Sequence, residues 1–421
     1  MPAAKPSLIE AVWNPRMLIC IAIGFSSGLP LYFLLQLVPA WLRRSEIDLT
    51  TVGIIGLAQL PYAWKFLWSP LCDRFSFSFL GRRRTWMLAS QVLLLLSMAG
   101  IGLLSPAHSI NAIVWAAFAI AIFSATQDIA IDAYRREILP DAELGLGNSF
   151  HVNAYRVAGL VPGGLSLIIA DFLSWPMVFT ITALFMSPGI ICTALVSEPA
   201  KTSSPPKTLR EAAVEPFHEF FTRDGVRSAI LILSFLLLYK FGDNLATALL
   251  TPFYIDVGFT NAEIGAVAKL VGFWSIIIGG FLGGLVMVKI GINRSLWLFG
   301  AIQFLSIFGF ALLSEAGRNI YFLGLAVGFE YLGVGLGTAA FTAFVAAHTN
   351  KNFSATQFAL FSSIFALPRS VTGVIAGFIV EKMGLGWTNF FLISAGAAVP
   401  GLLLLYWVAP WNSGKSCQIV E

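Results

Sequence analysis

The sequence predicts an all-α membrane protein with twelve transmembrane helices in two pseudo-symmetric six-helix bundles. Its mean hydropathy is +0.81 and only 11% of its residues are charged, whereas roughly a quarter are charged in a typical soluble protein. Apolar runs of about 20 residues, which is the length needed to cross a bilayer, recur along all 421 residues. The basic residues are also unevenly divided between alternate loops, as expected for a membrane protein.

The apolar runs divide the chain into four parts. We expect an N-terminal bundle at 1–196, a central cytoplasmic loop at 197–225, a C-terminal bundle at 226–409 and a cytoplasmic tail at 410–421. The twelve spans are expected at 16–40, 50–72, 85–105, 112–137, 147–170, 175–196, 226–255, 261–288, 295–314, 320–348, 355–381 and 388–409.

The distribution of the 26 lysines and arginines between alternate loops predicts how the chain is oriented in the membrane. With the N-terminus in the cytoplasm, 17 of them fall on the cytoplasmic side, four fall outside and five lie within spans. This excess agrees with the positive-inside rule. The sequence therefore predicts that both termini are cytoplasmic.

Two features of the sequence indicate an internal repeat. The central loop, Pro/Ser-rich and then amphipathic, follows the sixth span, where a linker between two halves would lie. At an offset of about 213 residues, segment 124–135 aligns with 337–348, and Arg156 falls on Arg369. Glycine-rich stretches at 161–164, 279–284 and 333–337 are expected to let helices approach closely.

The loop after the second span reads SPLCDRFSFSFLGRRR (69–84). A preference for positive charge in the cytoplasm explains its arginines but not Asp73. An Asp at a helix end beside a basic turn can instead latch the two halves together on the cytoplasmic side. The predicted latch consists of Asp73, Arg74, Arg82, Arg83 and Arg84. The loop resembles the Asp-Arg…Gly-Arg-Arg loop of the major facilitator superfamily, whose architecture is twelve spans in two halves.

Ionisable side chains inside spans are costly unless they are paired or reached by water. Equal depth in the membrane predicts four pairs: Asp128 with Arg156, Asp132 with Lys65, Lys240 with Asp243, and Glu330 with Arg369. Each pair could simply neutralise itself and fix helix packing. As a set, the residues are better explained as the lining of an aqueous cavity.

Asp128 and Asp132 are the strongest candidates for a functional role. They lie four residues apart on one helix face and repel each other, so one of them is a plausible proton carrier. Arg156, Lys240 and Arg369 could hold an anionic substrate. The sequence has no phosphate loop, metal cluster or nucleophile triad, which argues against an ATP-driven pump and against an enzyme. We expect no cofactor and no metal, with the proton gradient as the energy source.

Several stretches together resemble the AmpG-type muropeptide permeases of Gram-negative inner membranes. They are GFSSGLPL (24–31), WKFLWSPLCDRF (64–75), FSATQDIAIDAYR (123–135), LLYKFGDNLA (237–246) and NKNFSATQFAL (350–360). On this resemblance, Gln127, Asp128 and Asp132 belong to the span-four motif, and Lys240 and Asp243 to the span-seven motif. The set of residues expected to line the substrate cavity is Gln127, Arg156, Lys65, Lys240, Asp243, Glu330 and Arg369.

The resemblance implies proton-coupled import of N-acetylglucosaminyl-anhydromuramyl peptides in peptidoglycan recycling, with an indirect effect on β-lactamase induction. It implies a bacterial inner-membrane protein that binds muropeptide and protons. We expect a monomer that does not bind nucleic acid. Two alternatives stay open: a transporter of another anionic solute, such as an acyl-CoA-like compound, and a membrane sensor without transport.

Overall fold

The computed structural model describes residues 12–47, 60–75, 80–199, 208–260 and 263–411, and these residues are predominantly helical. Eleven helices in this part of the chain are long and apolar enough to cross a membrane. They are α1 (Pro15–Arg44), α3 (Arg82–Ile101), α4 (Ile110–Ile138), α5 (Asp141–Ile169), α6 (Trp175–Leu195), α8 (Val226–Asp256), α9 (Ile264–Ile290), α10 (Ile292–Ala316), α11 (Ile320–His348), α12 (Lys351–Val380) and α13 (Gly386–Val408).

The remaining predicted span, 50–72, is described only in part, because residues 48–59 lie outside the described residues. From residue 60 onward it forms three short helical pieces, which we call α2 together: Leu60–Trp64, Lys65–Leu67 and Ser69–Arg74. The twelve-helix fold predicted from the sequence is confirmed.

The central loop contains one further helix, α7 (Leu209–Arg223). Thr208 and Glu211 cap it reciprocally: the Glu211 backbone N–H donates to the Thr208 hydroxyl at 3.1 Å, and the Thr208 N–H donates to the Glu211 carboxylate at 3.4 Å. This capping box satisfies N–H groups that a helix start leaves without partners. Residues 200–207 of the loop and 412–421 of the tail lie outside the described residues.

The described chain packs into two compact units. Unit 1 consists of Met1–Asp141, Phe150–Phe217 and Ala347–Ser363, and unit 2 of Ala142–Ser149, His218–Ala346 and Ile364–Glu421. Unit 1 therefore includes the start of α12, and unit 2 includes the start of α5. The boundary at 197–225 between two sequence halves stays a prediction.

Each unit has an aromatic core of its own. In unit 1 the rings of Phe33 and Trp41 lie 5.2 and 4.9 Å from that of Phe179. In unit 2 the ring of Phe253 lies 4.8 Å from that of Phe391 and 6.2 Å from that of Phe310. These separations suit the edge-on packing that aromatic rings favour.

Close helix contacts occur where glycines leave room for a neighbouring backbone. A Cβ atom added at Gly24 or Gly28 of α1 would collide with the carbonyl oxygen of His151 or Tyr155 on α5. In unit 2, a Cβ atom at Gly279 would collide with the Leu332 carbonyl oxygen between α9 and α11. Small residues spaced by about one turn allow this approach in membranes, and the prediction for the stretch at 279–284 is confirmed.

Large apolar side chains cover the outside of the fold. Trp13, Phe172, Leu195 and Tyr321 are each at least 80% exposed. A soluble monomer rarely carries so much exposed apolar surface, whereas a bilayer favours it. This surface is consistent with a membrane-embedded protein.

We expect Gly28→Ala to destabilise the protein by about 1–3 kcal/mol, the usual cost of overpacking, because the Tyr155 backbone cannot move aside as a side chain would. Gly100→Ala is the matched control, since a Cβ atom there meets nothing within 4 Å. Thermal unfolding in detergent micelles measures both. Equal melting temperatures for the two variants would contradict the close contact between α1 and α5.

Candidate functional site

Helix α4 carries three ionisable side chains along one face. Asp128, Asp132 and Arg135 are spaced by four and three residues, so they lie one above another. All three belong to unit 1, where α1, α2 and the start of α12 pack around them.

Asp132 lies between two cations. Its Oδ1 accepts a hydrogen bond from Arg135 Nη2 at 2.8 Å, and its Oδ2 lies 3.6 Å from Lys65 Nζ on α2. The side chains of Asp132 and Lys65 are only 13% and 8% exposed. The predicted pairing of Asp132 with Lys65 is confirmed.

Lys65 is brought to Asp132 by an interruption in α2. The residue begins the short 3₁₀ turn Lys65–Leu67, between Leu60–Trp64 and Ser69–Arg74. The Trp68 indole N–H fixes the same stretch by donating to Thr126 Oγ1 on α4 at 3.1 Å. A short 3₁₀ segment inside a helix often marks a hinge or a strained stretch of sequence.

Asp128 accepts a hydrogen bond from a residue of α1. The Ser27 hydroxyl donates to Asp128 Oδ1 at 2.5 Å. The neighbouring Gln127 donates from Nε2 to the Ser26 hydroxyl at 3.3 Å. The pairing of Asp128 with Arg156 of α5 stays a prediction.

Arg135 is the member of this cluster that the sequence analysis missed. The residue is 3% exposed, and its guanidinium lies 5.5 Å from the ring centre of Phe358 on α12. Among the described residues, its Nε and Nη1 have no acceptor. The signal was present in the run AYRR, but a basic residue at the end of a span is normally assigned to the membrane surface.

The second half carries a comparable group at a break in α8. The helical pieces Val226–Leu238 and Phe241–Thr247 are interrupted at Lys240. Lys240 Nζ lies 2.9 Å from Asp243 Oδ2, and both side chains are at least 90% buried. The predicted pairing of these two residues is confirmed.

Glu330 of α11 is fully buried and accepts a hydrogen bond at Oε2 from the Ser306 hydroxyl of α10 at 2.6 Å. Its predicted partner Arg369 lies on α12, but the Arg369 side chain is outside the described part of the structure. That pairing stays a prediction.

The predicted latch residues Asp73 and Arg83 lie at the centre of a buried network. Arg83 Nη2 lies 2.8 Å from Asp73 Oδ1 and 2.7 Å from Glu137 Oε1. Asp73 Oδ2 accepts from the backbone N–H and the hydroxyl of Thr356, at 2.9 and 2.7 Å. Arg83 also donates to the Ser354 hydroxyl at 2.8 Å. These contacts join the start of α12 to the end of α2 and the start of α3.

The other latch arginines have different surroundings. Arg82 donates to the Asp73 carbonyl oxygen at 3.1 Å and therefore borders the network. Arg84 donates to the carbonyl oxygens of Thr193 and Ala194 at the end of α6. The described contact of Arg74 is with the ring of Phe75.

The family profile of the Major Facilitator Superfamily matches residues 20–373. An anhydromuropeptide permease of Escherichia coli strain K12 is 44% identical over 394 residues, covering 93% of this chain and 79% of that protein. A putative transporter of Rickettsia felis, named AmpG 4, is 30% identical, covering 93% of this chain and 96% of that protein.

The chain belongs to the Major Facilitator Superfamily and, within it, to the AmpG-type permeases. The resemblance that its motifs predict is therefore confirmed, and the chain is not an enzyme. The structure of a human organic anion transporter superposes with a TM-score of 0.71, covering 93% of this chain and 99% of that one. At 15% identity this likeness concerns the fold alone. The roles of the individual site residues stay predictions.

For this AmpG-type permease we expect Arg83→Gln to lower the stability by about 3–5 kcal/mol, because it leaves the Asp73 and Glu137 carboxylates buried without their cation. Arg74→Gln is the matched control, since the described contact of Arg74 is with the ring of the next residue, Phe75. Thermal unfolding in micelles compares the two. A melting temperature for Arg83→Gln equal to that of the control would show that the network contributes little.

Proposed function

We propose that this permease imports anhydromuropeptides across the bacterial inner membrane, with both termini in the cytoplasm, and uses the proton gradient to drive uptake in peptidoglycan recycling. Membership of the AmpG-type permeases supports the cargo, because the Escherichia coli relative is named an anhydromuropeptide permease. The uneven distribution of lysine and arginine supports the orientation.

The charge balance around α4 is the observation that carries the proposed coupling. Among the residues whose contacts are described, Lys65 and Arg135 are the cations of this group, and Asp128 and Asp132 are the carboxylates. With all four ionised, the group is neutral. When one carboxylate takes up a proton, a positive charge remains without a counter-ion, and unpaired charge is costly at this depth.

An anionic cargo restores that balance. Nε and Nη1 of Arg135 have no acceptor among the described residues, and each can donate a charge-assisted hydrogen bond to a carboxylate. A muropeptide carries carboxylates on its peptide arm. Proton and cargo therefore stabilise each other's binding, which is the condition for symport.

Asp128 is the carboxylate assigned to the proton. Asp132 is already paired with two cations, at 2.8 and 3.6 Å. Asp128 is instead held by the Ser27 hydroxyl, and a hydroxyl can accept from a protonated carboxyl as readily as it donates to an ionised one. Among the described residues, Tyr62 also interacts electrostatically with Asp128, and His151 with Arg135 and Lys65.

Alternating access requires the cytoplasmic contacts to break in each cycle. Thr356 and Ser354 of α12 are held by Asp73 and Arg83. Release of these bonds frees the start of α12 from the end of α2 and the start of α3. Asp73 and Arg83 are thus the central residues of the latch, and Arg82 supports them.

We expect Asp128→Asn to abolish proton-driven accumulation of anhydromuropeptide while exchange of cargo between the two sides continues, because asparagine mimics the permanently protonated state. Uptake into proteoliposomes with and without an imposed pH gradient measures the first, and counterflow measures the second. Asp171→Asn is the control, since Asp171 forms an exposed ion pair with Arg44. Normal accumulation by Asp128→Asn would remove Asp128 from the coupling.

We expect Arg135→Gln to raise the KM for anhydromuropeptide about tenfold or more, because it removes a charge-assisted hydrogen bond worth about 1.5–3 kcal/mol. A cargo whose peptide carboxylates are amidated provides the control, and its KM should hardly change. An equal loss for both cargoes would mean that Arg135 supports the fold and does not bind the carboxylate. Competition by other anionic solutes in this assay tests the alternative cargo.

A further inference from the structure

The start of α12 is held by residues of the cytoplasmic latch. Ser354 accepts a hydrogen bond from Arg83, and Thr356 donates to Asp73. The next residue, Gln357, contacts neither of these latch residues through its described hydrogen bonds. It is only 1% exposed, and it binds a different element, the helix α7 of the central loop.

Both ends of the Gln357 side-chain amide form hydrogen bonds. Nε2 donates to the carbonyl oxygen of Pro216 in α7 at 2.9 Å, and Oε1 accepts from the backbone N–H of Asn350 at 2.8 Å. The first partner can only accept and the second can only donate, which fixes the orientation of the amide. All three residues belong to unit 1. Gln357 therefore connects the residue before α12 to the first part of α7.

Helix α7 depends on contacts of this kind for its stability. It has 15 residues, and helices of this length are marginal in water on their own. Pro216 lies inside the helix and has no backbone N–H, so one hydrogen bond within the helix is missing. Ala212 and Pro216 are buried on one face, whereas Val214 and Glu215 are exposed. We therefore expect α7 to lose helical order when its buried face is uncovered.

We propose that Gln357 is a positioning residue that couples α7 to the cytoplasmic latch, so that α7 is docked while the latch is closed and is released when it opens. The inference rests on the proposed function, because alternating access supplies the movement that opens the latch. Thr356 donates to Asp73 Oδ2 from both its backbone N–H and its hydroxyl. A movement of α12 that breaks these two bonds also withdraws the adjacent Gln357 amide from Pro216.

This coupling gives the central loop a part in the transport cycle besides that of a linker. Because coupling between two sites is reciprocal, a change that detaches α7 also favours the open latch. The stretch NKNFSATQFAL (350–360) supplies both Asn350 and Gln357. One short segment of sequence thus binds the latch and the central loop together.

Hydrogen–deuterium exchange of the purified protein in micelles, measured by mass spectrometry on peptides of α7, tests the docking. Gln357→Met keeps the side-chain length but removes the amide. We expect the α7 amides to exchange about tenfold faster, because two hydrogen bonds are lost. Equal exchange of α7 in Gln357→Met and in wild type would overturn the proposal.

Gln91→Met is the matched control for this variant. Gln91 is a fully buried glutamine of α3 whose Nε2 donates to the Ser26 hydroxyl of α1. Its replacement also removes a buried amide, but one whose described hydrogen bond goes to α1. The α7 amides should therefore exchange as in wild type, and faster exchange of α7 in this control as well would refute a specific role of Gln357.

Thr356→Val tests the connection to the latch. It removes the hydroxyl that donates to Asp73 and leaves Gln357 in place. We expect α7 to exchange faster in this variant than in wild type, and no further acceleration when Thr356→Val is added to Gln357→Met, because the connection is then already absent. A contact of Gln357 that only stabilises the fold would leave α7 insensitive to Thr356→Val.

No response of α7 to Thr356→Val, or an equal response with and without Gln357, would contradict the coupling. If Gln357→Met fails to fold, Thr356→Val alone decides between a response and none. These measurements use neither cargo nor a pH gradient. Coupled exchange with failed uptake of anhydromuropeptide would refute the proposed function alone, whereas normal uptake with uncoupled exchange would refute this inference alone.

Discussion

An ionisable side chain within these spans is costly unless it is paired or reached by water, because hydrocarbon offers neither water nor counter-ions. The described structure meets this requirement with short-range partners: Asp132 lies between Lys65 and Arg135, and Asp243 lies beside Lys240. An ion pair of this kind can be opened. A proton can neutralise its carboxylate, and an anionic ligand can then pair with the cation, so that the total charge of the group is preserved.

Each half has a backbone interruption next to a buried lysine, in its second span in the first half and in its first span in the second half. Lys65 begins a short 3₁₀ turn in α2, and Lys240 separates two helical pieces of α8. Interruptions of this kind leave backbone groups that must find partners inside the protein. Each lysine at these interruptions pairs with a carboxylate, so the break in the helix and the neutralisation of the charge occur at the same residue.

Two buried carboxyl groups, one in each unit, have a hydroxyl as their described partner. Asp128 accepts from the Ser27 hydroxyl of α1, and Glu330 accepts from the Ser306 hydroxyl of α10. Asp128 also lies on the same helix face as Arg135, whose Nε and Nη1 have no acceptor among the described residues. In the proposed mechanism, the protonation of Asp128 responds to an anionic cargo at this guanidinium.

The sequence alone determined the fold class, the family and the pairings within or near one helix. Hydropathy and the lysine and arginine distribution define spans because a bilayer selects for length and polarity directly. The pairing of Lys240 with Asp243 follows from their spacing of three residues. The depth of Asp132 and Lys65 in the membrane was sufficient to pair them across two helices.

Only the tertiary structure decided which residues meet across distant segments. Thr356 reaches Asp73 across 283 positions of sequence, and Ser306 reaches Glu330 from another helix. Neither serine nor threonine is unusual in a membrane span, so no local pattern marks them. The role of Arg135 was hidden for a related reason: its burial comes from packing against α12, and burial by a distant segment leaves no periodic signal in the sequence of α4.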